Sequence, residues 1–114
     1  MWIMVAGAYR SGGADAAERP ENLRVLNVAS LAVHRLGHVI GVNMVLPIIA
    51  AVGDGDAACE EIMMPVSLAL ADRCDACLRI GGPSKAADDE VKRFVVAGRP
   101  IFRGVGEIPR AVRP

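Results

Sequence analysis

Aromatic side chains are scarce in this chain: one Trp, one Tyr and two Phe among 114 residues, although 53% of the residues are apolar. A core with so few rings must be built from aliphatic and alanine side chains. That composition suits buried parallel strands and close helix packing. It also leaves apolar surface over, which points to a homo-oligomer. An excess of either charge is lacking as well. The 13 Lys and Arg balance the 13 Asp and Glu, so nothing speaks for a nucleic-acid polymer or a polybasic membrane contact as partner.

Long hydrophobic runs are missing too. Met1-Trp2-Ile3-Met4-Val5-Ala6 is apolar but has no basic flank, ends at Gly7 and meets Arg10 soon after. It is too short for a membrane span and poor as a signal peptide. A buried first strand and a cytoplasmic location are the expectation. The 3 cysteines are an odd number and fit reduced thiols better than a disulfide framework. Cys74-Asp75-Ala76-Cys77 has the C-x-x-C form, but it falls where a helix gives way to a strand. The redox form belongs at a helix N-terminus, where the first thiol is activated. A zinc site would need two further ligands from Cys59, His34 and His38. Buried small hydrophobes are the better reading, and no cofactor is called for. His34 and His38 flank Gly37, a fitting helix C-cap, and read as cap or surface residues.

The length predicts a single domain, residues 1–114, with room for a core but little for a full doubly wound sheet. Residues 2–8 read as strand one and residues 9–20 as a loop. Glu21 to Leu36 reads as helix one, apolar almost all round and so packed on two sides. Val39–Val42 reads as strand two. Asn43 to Asp56 is a long connection whose Met44–Ile49 is apolar enough for a lid or an interface. Asp56 is placed to cap helix two, which Pro65 breaks or restarts. Strand three is Ala76–Ile80, helix three Lys85–Ala97 and strand four Pro100–Phe102, followed by a tail with one helical turn around Glu107. The alternation of strands and helices implies an α/β fold with a parallel sheet and helices on both faces.

The chemistry concentrates between strand three and helix three, in Gly81-Gly82-Pro83-Ser84-Lys85-Ala86-Ala87-Asp88-Asp89-Glu90. This is the carboxyl end of a strand, where ligands of parallel sheets usually sit. Gly81 and Gly82 admit backbone dihedrals closed to other residues and let a ligand come close. Ser84 is a good N-cap, and the free amides beyond it favour an anion such as a phosphate. Asp88, Asp89 and Glu90, packed near a cleft, would raise one another's pKa values. At helical spacing Ala87, Val91, Phe94 and Val95 form the apolar stripe, with Asp88 and Glu90 on its shoulders. Glu90 neighbours Ala87 and Phe94, so it could face a cleft. It could equally be a solvated first-turn residue that complements the helix dipole. In the first loop, Ser11-Gly12-Gly13 could wrap a phosphate or sugar with backbone amides, or be a flexible connection. Tyr9 could stack on a base or bond a sugar, and Arg10 could pair with a carboxylate or phosphate.

Pro83-Ser84 with a glutamate six residues after the serine resembles the signature of the nucleoside 2-deoxyribosyltransferase superfamily, which includes the 2'-deoxynucleoside 5'-phosphate N-hydrolases. Val5-Ala6-Gly7-Ala8-Tyr9-Arg10-Ser11-Gly12-Gly13 resembles the family's first strand and loop. Ala71-Asp72-Arg73-Cys74-Asp75-Ala76 resembles its passage into strand three. The resemblance rests on the order and spacing of these blocks and spans nearly the whole chain. It implies a flavodoxin-like three-layer sandwich of four to five parallel strands in the order 2-1-3-4. It implies cleavage or transfer at the N-glycosidic bond of a 2'-deoxynucleoside or its 5'-monophosphate. Glu90 would be the nucleophile, and Asp88 would bind sugar hydroxyls or help proton transfer to the base. Gly7, Tyr9, Arg10, Ser11, Gly12 and Ser84 would bind substrate, Ser84 holding a 5'-phosphate. The chain departs from the family at Ala8, where relatives often have proline, and at Ala86, where they often have glycine. The family's aspartate from the helix before strand three has no counterpart in Ile62–Ser67, and Glu60 and Glu61 lie about one turn too early. A non-catalytic nucleotide-binding domain, or an oligomeric interaction domain of the same fold, are the alternatives.

Overall fold

The computed structural model describes residues 1–7, 19–41 and 55–111. In chain order they form β1 (Trp2–Gly7), α1 (Arg19–Arg35), β2 (Val39–Gly41), α2 (Gly55–Arg73), β3 (Ala76–Ile80), α3 (Lys85–Ala97) and β4 (Ile101–Phe102), with a 3-10 turn at Val105–Glu107. The four strands make one sheet in the order β2-β1-β3-β4, and every pairing is parallel. This is the flavodoxin-like α/β sandwich, in the expected strand order.

Alternation along the strands sorts the core into two halves. Ile3 and Val5 of β1 and Ala76 and Leu78 of β3 point to the face covered by α1, where they meet Ala29 and Val33. Met4, Ala6 and Cys77 point to the opposite face, where they meet Ala71 and Cys74 at the end of α2 and Ala87, Val91 and Phe94 of α3. Strands buried on both faces need apolar residues at successive positions, which is why Ile3-Met4-Val5-Ala6 is a continuous run. The largest fully buried side chain, Phe94 at 0% exposed, lies on the α3 side.

Both ends of α3 are coded locally. Ser84 has extended backbone, and its Oγ accepts from the Ala87 N–H at 3.1 Å. Gly98 closes the helix with φ 70°, donating to the last turn. The 3-10 turn at Val105–Glu107 agrees with the helical turn expected around Glu107.

Several expectations are corrected. Pro65 does not break helix two: α2 runs unbroken from Gly55 to Arg73 with Pro65 inside it. A proline forfeits one backbone bond and costs about 3 kcal/mol in a helix interior. Here its ring is exposed, while Ser67 and Ala71 beyond it are buried and anchor the following turns. Asp56 falls within the first turn of α2 and does not precede it. Helix one begins at Arg19 and takes in Pro20, tolerated in a first turn whose amides have no intrahelical partner. Strand four is shorter than expected and omits Pro100, which has no N–H to donate, although its carbonyl accepts from Cys77 at 3.0 Å. His38 is not a surface residue. It is 5% exposed, donates from Nε2 to the Pro109 carbonyl at 2.6 Å, and so pins the tail beneath the sheet. His34 is exposed, as expected.

Candidate functional site

Because all four strands run the same way, Gly7, Gly41, Ile80 and Phe102 end at one edge. Gly7 stands opposite Ile80 in the β1–β3 register. A Cβ on Gly7 would lie 2.9 Å from the Ile80 carbonyl oxygen and 2.8 Å from a methyl of Leu26. Close packing of strand and helix therefore demands glycine at this position, whatever else it does.

Beyond Ile80 the chain turns through Gly81, whose φ of 78° is in the left-handed region. Among the described residues Gly82 does not share that conformation, so one of the two glycines, not both, answers a backbone need. An open groove of about 420 Å³ runs along this turn, lined by Arg79, Ile80, Gly81, Gly82, Asp88 and Arg103 among others. A smaller one of about 170 Å³ continues across the turn to Gly7, Asn22 and Leu26. The topology thus brings Gly7 to the Gly81–Gly82 turn, as expected from the strand order. Tyr9, Arg10, Ser11 and Gly12 lie outside the described residues, as does the apolar segment Met44–Ile49.

The three acids of α3 have separate fates. Asp89 pairs with Lys85 at 2.8 Å and, more loosely, with Lys92, and the Lys85 hydrogen bond holds its carboxyl below the usual carboxylate range. Asp88 has a side chain 62% exposed, and its Oδ1 accepts from Arg79 Nε at 3.2 Å. Glu90 is turned inward and is 8% exposed. Its carboxyl is pushed up to about 7, first by burial. A hydrogen bond from Ser67 and the charge of Arg79 pull the other way, and Asp89 adds a smaller push upward. Mutual repulsion of the three acids is therefore not the main cause. Desolvation of one of them is.

Ser84, expected to hold a phosphate, is 4% exposed, and its hydroxyl is engaged as the α3 cap. Glu90 is not among the residues that line either groove at the turn. It sits behind the turn, between α3, α2 and the end of β3.

Sequence reasoning missed three residues of this neighbourhood. Arg79 is 8% exposed and reaches Asp88, the Ile80 carbonyl and the Gly82 carbonyl. Its signal was available: a charge near the end of the apolar strand Ala76-Cys77-Leu78-Arg79-Ile80 needs a buried partner. Ser67, 2% exposed, is a polar residue set in the apolar stretch Val66-Ser67-Leu68. Arg103, just past β4, lines the larger groove and could be found only from the sheet order.

The cysteines are explained by packing. Cys74 and Cys77 are free and buried. Burial pushes both thiols up, Cys77 to about 12, where the nearby Glu90 carboxylate adds to the effect. Thiols in that state are poor nucleophiles. Among the described residues no group of three or more His, Cys, Asp or Glu could hold a metal ion, and no helix is long and apolar enough to cross a membrane. No protein-family model matches the chain, and no curated protein matches it.

Proposed function

We propose that this protein cleaves or transfers the N-glycosidic bond of a 2'-deoxynucleoside or its 5'-monophosphate, with Glu90 as nucleophile. The observation that carries the reading is Glu90 itself: a carboxylate 8% exposed, in the second turn of the helix that follows β3, with its pKa near neutrality. Burying an acid is costly, and near-neutral carboxyls concentrate where chemistry is done. In the proposed reaction a Glu90 oxygen forms a bond to the anomeric carbon while the bond from that carbon to the base nitrogen breaks. The electron pair of the broken bond leaves with the base, which takes up a proton. Water or a second base then displaces the carboxylate, so configuration is retained overall.

The other roles follow from position. Asp88 is exposed at the groove and is suited to accept from sugar hydroxyls. The Gly81–Gly82 turn, the start of α3 and Arg103 offer amides and a cation to a 5'-phosphate. Gly7, Tyr9, Arg10, Ser11 and Gly12 belong to this reading through the first loop, which leaves β1 at the same edge. A homo-oligomer is part of it too, supported by Val28 and Leu31, which stand exposed on the outer face of α1. Buried, unreactive thiols suit a reducing, cytoplasmic compartment.

Two observations favour a second reading, a binding domain of this fold without catalysis. Glu90 lines neither groove at the turn. Ser67 occupies the segment where an acid would assist the leaving base, and its hydroxyl is spent on Glu90. A single assay separates the two. The purified protein is incubated with each 2'-deoxynucleoside and each 5'-monophosphate, and released base is measured by chromatography beside Glu90→Gln. Base release that disappears in the variant supports the enzyme. No release from any substrate, together with a rise in melting temperature when a nucleotide is added, supports the binding domain.

A further inference from the structure

Arg79 is the charged residue of a strand whose other side chains are apolar, and its guanidinium is 8% exposed. A buried guanidinium brings five N–H donors and no acceptor. Each of its nitrogens has found an oxygen. Nε donates to Asp88 Oδ1 at 3.2 Å, one terminal nitrogen donates to the Ile80 carbonyl, and the other donates to the Gly82 carbonyl at 2.8 Å. One side chain thereby ties together the end of β3, the glycine turn and the first turn of α3. No single-point cation can do this, because the three acceptors lie in different directions around a planar fork.

We propose that Arg79 is the positioning residue of the Glu90 site: it fixes the Ile80–Gly82 turn and groups the charges around the Glu90 carboxylate. Strand alternation sets Arg79 on the Cys77 side of β3, the side that α2 and α3 cover and in which Glu90 is buried. Among the described residues, the groups that act on Glu90 are Ser67 from α2, Arg79 from β3 and Asp89 from α3 itself. Arg79 supplies the positive charge in that set. It draws Glu90 toward the ionised form that a nucleophile needs, against the burial that opposes it. Asp88 takes one of its bonds from the solvent side. The consequence for catalysis rests on the function proposed above. The effect on Glu90 does not, and the test keeps the two apart.

The test is a carbon-detected NMR titration of the Glu90 carboxyl in the full chain, in wild type, Arg79→Gln and Arg79→Lys. Glutamine keeps an amide donor and removes the charge. Lysine keeps the charge and loses the fork. The Glu90 midpoint is expected to rise by about one pH unit in Arg79→Gln and to stay near the wild-type position in Arg79→Lys. In base release at pH 7, Arg79→Gln is expected to be about fivefold slower and to recover as the pH is raised through the new midpoint. Arg79→Lys is expected to be slower at every pH, with the profile unshifted. A Glu90 midpoint unmoved in Arg79→Gln, or moved equally by both substitutions, overturns the proposal. Should Arg79→Gln fail to fold, Asp88→Ala at the exposed side serves instead. It leaves the Arg79 charge less offset and is expected to lower the Glu90 midpoint, and an unmoved midpoint again overturns the proposal. If no protein releases base, the titration still decides the role of Arg79, and only the proposed activity falls.

Discussion

At the amino edge of the sheet, Arg99 donates to the Ala71 carbonyl at 2.8 Å and to the Cys74 carbonyl, and lies 4.6 Å over the Phe94 ring. At the carboxyl edge, Arg79 donates to the Ile80 and Gly82 carbonyls and to Asp88. Both arginines satisfy backbone oxygens that a turn or a helix end would otherwise leave unpaired. At the amino edge the polar groups serve the fold. Asp75 accepts from the Trp2 N–H at 2.7 Å, and Asp75 in turn donates its N–H to Trp2 O at 2.8 Å. The carboxyl edge contains the same kind of clamp and, behind it, a buried acid, Glu90, whose carboxyl is pushed up by desolvation. The difference teaches where to look for function. A polar group that closes a hydrogen-bond account is structural, whereas one that is kept buried at a cost to stability calls for another reason.

The largest test of that difference is Glu90→Gln. It is expected to lower base release by about 10³-fold or more, measured in single-turnover assays, because it removes the proposed nucleophile. No comparable loss of activity is expected from Arg99→Met. A variant Glu90→Gln that retains wild-type release would erase the functional distinction between the two edges.

Next comes the core beneath the amino-edge clamp. Phe94 is 0% exposed, so Phe94→Ala is expected to cost about 3–5 kcal/mol in urea unfolding. A loss well below that range would mean that the α3 face of the core can collapse around the gap.

The third test is pH. Glu90 has its folded pKa raised from 4.5 to about 7. Between those values the folded chain binds more protons than the unfolded one, so stability falls as pH rises through this window. Below pH 4.5 the carboxyl is neutral in both states, and above about pH 7 it is ionised in both. The full difference is about 3 kcal/mol, at 1.4 kcal/mol per pH unit. Glu90→Gln is therefore expected to be more stable than wild type at pH 8, by about 1–3 kcal/mol, and to show no such gain at pH 4.5. Denaturant curves at the two pH values would decide this, and a pH-independent difference would contradict it.

Smaller effects sharpen the comparison. Arg99→Met is expected to cost about 1–2 kcal/mol through the lost bonds to the Ala71 and Cys74 carbonyls, with the Glu90 titration unchanged. Gly81→Ala and Gly98→Ala place a side chain at φ 78° and φ 70°, one at each edge. Each is expected to cost about 1 kcal/mol in thermal or chemical unfolding. Of the two, Gly81→Ala alone should also slow base release, since Gly81 lines the groove and Gly98 stands at the opposite edge.

What was legible in the sequence was whatever local chemistry dictates. The apolar run Ile3–Ala6 predicted a strand buried on both faces. Ser84 and Gly98 marked the ends of α3, and the alternation of strands and helices predicted a parallel sheet. Pro65 misled because its local penalty was offset by the burial of Ser67 and Ala71 against elements remote along the chain. Helical spacing put Glu90 on the shoulder of the apolar stripe but left open whether water or protein covered it. Only the placement of α2 against α3 decided that, by bringing Ser67 over the carboxylate. Arg79 was visible as a charge in a strand, yet its three acceptors come from a turn and a helix that the fold alone brings within reach. The sequence by itself determined most of the elements, their parallel alternation and the caps of α3. Tertiary packing decided which acid is desolvated and which cation faces it, because desolvation and charge proximity depend on neighbours that are remote along the chain.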